Sequence, residues 1–173
     1  MLATKCYDML MKKTNLTIFL PDEAATLECG RMLSRVLEKQ AVIFLKGELG
    51  AGKTTLTRGI LQGLGHTGSV KSPSYAIVEP YELNKTHFYH FDFYRVRDPE
   101  ELEFIGLRDY FLTPAICLIE WPELGGTFVP LPDLICHIQI CPSGRNIEFA
   151  AHSDKGKRFL QTLSAGLKDV KGV

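Results

Sequence analysis

Apolar and polar positions along this chain fall into two periodicities that alternate. Leu16 to Leu20 is a short apolar run that Pro21 ends, and Asp22 is placed to cap the helix that follows. Ala25, Cys29, Met32 and Val36 recur at helical spacing with Leu33 and Leu37 beside them, which predicts an amphipathic helix over residues 22–39. Ala41 to Leu45 is apolar throughout and bounded by charge, the pattern of a strand buried on both faces. The glycine-rich segment Gly47 to Gly52 separates it from a helix expected over residues 53–64, with Gly65 as its C′ residue.

Residues 70–78 read as a loop around Ser72-Pro73-Ser74. Ile77 to Leu83 and Thr86 to Phe91 read as two strands joined by a turn at Asn84-Lys85. Asp98-Pro99-Glu100-Glu101 starts a helix, with a cap, a proline at the first helical position and acids at the positive dipole end. Ala115 to Ile119 is a second buried strand, and Leu134 to Ile140 and Asn146 to Ala150 are later ones. A helix over 154–167 closes the chain. Strands alternating with helices specify an α/β layered fold.

The chemistry enters at Gly47-Glu48-Leu49-Gly50-Ala51-Gly52-Lys53-Thr54, a complete G-x-x-x-x-G-K-[ST] match. Glycines let successive backbone N–H groups turn inward around phosphate oxygens. The helix that follows aims its N-terminal amides at the same anion. Lys53 is long enough to reach β- and γ-phosphates, and the Thr54 hydroxyl suits Mg²⁺. The match lies between a buried strand and a helix, where that mechanism needs it.

Composition narrows the class further. The 173 residues suit one domain, and 45% hydrophobic with 23% charged positions is ordinary for a protein with a packed core. Basic and acidic residues balance at 20 each, which argues against a strongly basic nucleic-acid clamp. The longest apolar runs are too short to span a bilayer, so no membrane is expected. The five cysteines, Cys6, Cys29, Cys117, Cys136 and Cys141, are odd in number and contain no C-x-x-C. They read as thiols of a reducing, cytoplasmic compartment, and Cys136-His137 with Cys141 lacks the second ligand pair of a zinc site. Met11 is as good a start as Met1. Residues 1–15 are read as a disordered leader, 16–168 as the domain and 169–173 as a tail.

A nucleotide hydrolase also needs a carboxylate at a strand end, for the metal or its waters. Asp92 closes Phe88 to Phe91 and Glu120 closes Ile116 to Ile119, and at least one of them is functional. Ser72 and Ser74 flank Pro73 where nucleotide-sensing loops sit, with a hydroxyl in reach of a γ-phosphate or Mg²⁺. His90 reads as a packed strand residue in preference to a general base. Arg95, Arg97 and Arg108 read as solvated ion pairs.

Taken in order, five segments resemble the bacterial TsaE (YjeE) family, small P-loop ATPases of tRNA threonylcarbamoyladenosine biosynthesis. They are Gly47 to Thr55 (G-E-L-G-A-G-K-T-T), Val70 to Tyr75 (V-K-S-P-S-Y), His90 to Arg95 (H-F-D-F-Y-R), Asp98 to Phe111 (D-P-E-E-L-E-F-I-G-L-R-D-Y-F) and Ile116 to Pro122 (I-C-L-I-E-W-P). The resemblance covers about residues 20–150. It implies a single P-loop NTPase domain of α/β class, with a central, mostly parallel sheet flanked by helices and an antiparallel hairpin portion. It implies an ATPase using ATP and Mg²⁺, slow without its partners TsaD and TsaB and meeting tRNA through that complex. Carried over residue by residue, Thr54 and Glu120 are the Mg²⁺ ligands, and Gly50, Ala51, Gly52, Lys53, Thr54 and Thr55 cradle the phosphates. Asp92 becomes a catalytic or switch carboxylate beside Lys53 and Glu120, Ser74 a nucleotide-sensing hydroxyl, and Trp121 a neighbour of the nucleotide. Asp22 and Arg145 match family nucleotide contacts. One departure stands out: the family's S-P-T is S-P-S here, so Ser74 keeps the hydroxyl without the methyl.

Three other readings share the phosphate loop. A small-molecule or nucleotide kinase carries an arginine-rich lid, and the arginines here are scattered. A GTPase selects guanine with Asn-Lys-x-Asp, whereas Asn84-Lys85-Thr86 is followed by His87. A nucleotide-gated binding module with negligible turnover is compatible with every motif above.

Overall fold

The structure, a computed structural model, describes residues 15–83 and 86–170. In chain order they form β1 (Asn15–Leu20), α1 (Glu23–Ser34), β2 (Ala41–Lys46), α2 (Lys53–Gly63), β3 (Val78–Leu83), β4 (Thr86–Asp92) and α3 (Glu101–Phe104). A 3₁₀ segment (Leu107–Phe111), β5 (Ala115–Glu120), a second 3₁₀ segment (Pro122–Phe128), β6 (Leu134–Cys141), β7 (Gly144–Ala151) and α4 (Asp154–Val170) follow. The residues of the expected leader before Asn15, the expected turn at Asn84-Lys85 and residues 171–173 lie outside the described residues.

The strands make one sheet in the order β1-β7-β6-β2-β5-β4-β3. Its centre is parallel, with β6, β2, β5 and β4 running the same way. Its edges are antiparallel, β3 against β4 on one side and β1, β7 and β6 on the other. This is a mixed sheet whose parallel centre matches the central, mostly parallel sheet the resemblance implied, with antiparallel pairing at both edges as well as in the expected hairpin. Pro80 sits on the edge strand β3, where its missing N–H costs no ladder bond.

Alternation along the central strands builds two cores. Ala41, Ile43 and Leu45 of β2, with Ile116 and Leu118 of β5, face α1, α2 and α4 through Cys29, Leu33, Leu56, Ile60 and Phe159. Val42 and Phe44, with Cys117 and Ile119, face the opposite layer made by Leu102, Leu107, Phe91 and Phe93. All six residues of β5 are buried, the five apolar ones as a continuous apolar run requires and Glu120 with hydrogen-bond partners of its own. The helices α1 and α2 approach until a Cβ on Gly59 would lie 2.3 Å from the Leu27 carbonyl oxygen, and one on Gly30 2.5 Å from that of Leu56. That contact clamps α2, and with it the phosphate loop, against the sheet.

Helix ends show which local signals held. Asp22 Oδ1 accepts from Ala25 N at 2.8 Å as an N-cap. Gly65, at φ 98°, donates to Gln62 O while His66 N donates to Leu61 O, a Schellman closure of α2. The helix expected over 22–39 ends at Ser34. Its apolar spacing continues because Val36 and Leu37 still pack on the core from a turn that leads into β2. The helix expected from Asp98 shrinks to the single turn α3, because Gly106 at φ 66° breaks it before the 3₁₀ segment. Ile77, expected to begin a strand, has φ 66° and lies before β3. No helix among the described residues is long and apolar enough to cross a membrane.

Candidate nucleotide-binding site

Parallel strands present their C-terminal ends together, and here β2, β4 and β5 open onto a cavity of about 300 Å³. One rim is the loop from Gly47 to Gly52. A Cβ on Gly47, at φ 142°, would lie 2.4 Å from the Ile138 carbonyl oxygen. Gly52, at φ 110°, is the N-cap of α2 and has no side chain to cap it, which leaves the helix N–H donors to an incoming anion. Ala51 points the other way, into the core, and its carbonyl accepts from Arg145 Nε at 2.8 Å.

Lys53, the first residue of α2, is 4% exposed. Its Nζ donates to the carbonyls of Gly47 at 2.7 Å and Glu48 at 2.9 Å, and lies 4.3 Å from the centre of the Trp121 ring. Burial pulls its ammonium below the ordinary lysine value, opposed by the carboxylates of Glu120, Asp92, Glu123 and Glu48. A phosphate arriving on this loop adds negative charge of the sign that restores the cation.

Asp92 and Glu120 close β4 and β5 as register partners, each 3% exposed. Glu120 Oε1 accepts from Thr54 Oγ1 at 3.0 Å and lies 2.9 Å from His90 Nε2. Asp92 Oδ2 accepts from Ser74 Oγ at 2.9 Å and from Ser72 Oγ, and its Oδ1 accepts from Tyr94 N at 3.0 Å. Among the described residues the non-glycine positions with positive φ are Ile77 and Trp121. Both touch this pair: the Ile77 carbonyl accepts from Asp92 N, and Trp121 follows Glu120. Left-handed backbone at bulky residues is strained, and strain of this kind collects at functional sites.

The donor set fits Mg²⁺. Among the described residues no group of three or more His, Cys, Asp or Glu side chains converges as a cage. Two carboxylates and a threonine hydroxyl beside a phosphate loop suit an ion that takes few protein ligands and fills its octahedron with phosphate oxygens and water. Cys29 and Cys117 are pushed by burial to about 12, and Cys136 well above its ordinary value, so these thiols are inert. Cys6 lies outside the described residues.

The residues singled out in the sequence separate into two groups. Gly50, Gly52, Lys53, Thr54, Thr55, Ser74, Asp92, Glu120 and Trp121 line the one cavity. Asp22 caps α1 and Arg145 braces the loop from behind, so both stand beside the cavity without lining it. Ser72 joins Ser74 on Asp92, and Leu49 and Tyr94 complete the wall; Tyr94 lies 5.2 Å from Trp121, ring to ring. No local pattern marks Leu49 or Tyr94. Arg95 and Arg108, read as ion pairs, lie instead over aromatic rings, 4.0 Å from Tyr75 and 5.4 Å from Phe128.

Comparison with known proteins gives the family and the fold. A family model described as threonylcarbamoyl adenosine biosynthesis protein TsaE matches residues 20–148. The tRNA threonylcarbamoyladenosine biosynthesis protein TsaE of Haemophilus influenzae is 48% identical over 155 residues, covering 87% of this chain and 98% of that protein. The protein of the same name in Bacillus subtilis is 39% identical over 126 residues, covering 71% of this chain and 77% of its own. Among solved structures, Bacillus subtilis YdiB superposes with a TM-score of 0.74 at 29% identity, covering 88% of this chain and 95% of that one.

Proposed function

Because the chain belongs to the TsaE family, we propose that it binds and hydrolyses ATP with Mg²⁺ as a cytoplasmic subunit in making threonylcarbamoyladenosine in tRNA. Its partners in this reading are TsaD and TsaB, and tRNA meets it through their complex. The observation that carries the reading is the Thr54 hydroxyl on Glu120 at 3.0 Å, made where the phosphate loop meets the ends of β4 and β5. The balanced charge supports leaving tRNA to the partners, since affinity for phosphate backbones comes from neutralising them.

The amides from Gly50 to Thr55 bind the phosphates, assisted by the positive end of α2. Lys53 exchanges the carbonyls of Gly47 and Glu48 for β- and γ-phosphate oxygens, a short movement of a side chain already inside the cavity. Thr54 and Glu120 would hold Mg²⁺, which when bound would neutralise negative charge on the phosphates. Asp92, steadied by Ser72, Ser74 and the Tyr94 amide, orients the attacking water. The water oxygen bonds to the γ-phosphorus, the bond from that phosphorus to the bridging oxygen breaks with its electron pair leaving on ADP, and a proton of the water passes to an oxygen of the transferred phosphate. Trp121 lies along the nucleotide beside Lys53. Asp22 and Arg145 act at the margin, Arg145 through the Ala51 carbonyl. Turnover is slow until a partner completes the site, as in many P-loop proteins.

The test is co-purification with a TsaB–TsaD pair, with ATPase rates measured with and without it. Complex formation and stimulation are expected. No complex and no stimulation turns the reading toward a kinase.

A further inference from the structure

His90 is fully buried, and its one polar contact among the described residues goes to a carboxylate of the site. Its Nε2 lies 2.9 Å from Glu120 Oε1, while its Nδ1 is buried without a partner among the described residues. Side chains alternate along β4, so Phe88, His90 and Asp92 share a face, and Phe88 packs in the core with Ile116 and Leu118 of β5. Packing does not call for an imidazole there. An apolar side chain of similar size would fill the place and leave no polar atom without a partner.

The position has a use once Glu120 is considered. Among the described residues Oε1 takes both side-chain partners of this carboxylate, Thr54 Oγ1 at 3.0 Å from α2 and His90 Nε2 at 2.9 Å from β4. Two partners on one oxygen, held by a helix and a strand, restrict the carboxylate's rotation and leave Oε2 to other partners.

We propose that His90 is the positioning residue of the metal-binding carboxylate. In the Nε2–H tautomer it donates to Glu120 Oε1, holds Oε2 toward Mg²⁺ and keeps Oε1 as the acceptor of the Thr54 hydroxyl. The proposal rests on the Mg²⁺–ATP reading of the site. Partners of this kind behind a ligand tune metal affinity by roughly 10- to 100-fold.

The experiment measures, by calorimetry, the gain in affinity for ADP and for a non-hydrolysable ATP analogue when Mg²⁺ is added. His90→Leu removes the donor and keeps apolar volume; His90→Gln returns an N–H near the Nε2 position. His90→Leu is expected to lower the Mg²⁺-dependent gain by about tenfold or more with little change in Mg²⁺-free affinity, and His90→Gln to recover most of it. A full gain in His90→Leu, or no recovery in His90→Gln, overturns the proposal. A wild-type chain that gains nothing from Mg²⁺ overturns the parent reading instead. ¹⁵N NMR of the wild-type imidazole needs no variant: a protonated Nε2 whose shift moves with Mg²⁺–nucleotide is expected, and a ring protonated at Nδ1 alone overturns the assignment.

Discussion

Two walls of the cavity each offer one carboxylate, equally buried and paired in register, yet held by different kinds of structure. Glu120 is gripped from regular elements, by Thr54 on the first turn of α2 and His90 on β4. Asp92 is gripped by Ser72 and Ser74 from the loop before β3, and by the amide of Tyr94 two residues along. That loop closes through Ile77 in a strained conformation, with Ile77 N donating to Pro73 O at 2.6 Å. A carboxylate fixed by a helix and a strand suits a constant ligand. One fixed by loop hydroxyls suits a group that moves when phosphate arrives, because hydroxyls rotate and loops open at lower cost than packed elements.

The widest effect falls on both walls together. Lys53→Ala removes the cation between them and is expected to cut kcat/KM for ATP by roughly 100-fold, the loss of charged hydrogen bonds to phosphate. Hydrolysis and calorimetry check it, and unchanged turnover would break the phosphate-loop assignment itself.

The contrast is sharpened by treating the carboxylates separately. Asp92→Ala is expected to lower kcat by roughly 10- to 100-fold, the loss of a charged hydrogen bond to the attacking water, with Mg²⁺-dependent binding retained. Glu120→Ala is expected to lose most of the Mg²⁺-dependent gain in nucleotide affinity. Finding the two phenotypes exchanged would swap the roles of the walls.

Smaller effects probe the loop. Ser72→Ala with Ser74→Ala leaves Asp92 with its Tyr94 amide bond, and kcat is expected to fall about fivefold, the worth of about 1 kcal/mol of hydrogen bonding. Loss as large as in Asp92→Ala would make the loop, and not the carboxylate, the working part. Ser74→Thr adds the methyl usual in the family, and kcat is expected to stay within about twofold because the hydroxyl is kept.

The slightest perturbation is optical. Mg²⁺–ATP is expected to change Trp121 emission, since Lys53 Nζ lies 4.3 Å from its ring and is expected to leave it for phosphate. Lys53→Ala should abolish the change at moderate ATP, and tRNA alone should produce none. A response to tRNA without one to ATP would overturn the assignment of this wall.

What the sequence determined by itself was local or patterned. The Asp22 cap, the Gly65 closure, the strand β2 and the phosphate loop each follow from short-range rules: a side chain that reaches its own backbone, a residue without Cβ, or a run of apolar positions. Asp92 and Glu120 were legible as strand-end acids for the same reason. The length of α1 was not, because apolar spacing at Val36 and Leu37 serves the core equally well from a turn.

Tertiary structure decided the rest. Residues 30 and 20 apart in sequence meet at the site: His90 reaches Glu120 because β4 and β5 lie side by side in parallel, and Ser72 reaches Asp92 because the loop before β3 folds back over the end of β4. The division of the carboxylates into one held by elements and one held by a loop follows from that juxtaposition. Periodicity along a chain reports which face a residue takes, whereas the partner it finds there depends on strand order, and strand order is set by how the whole core closes.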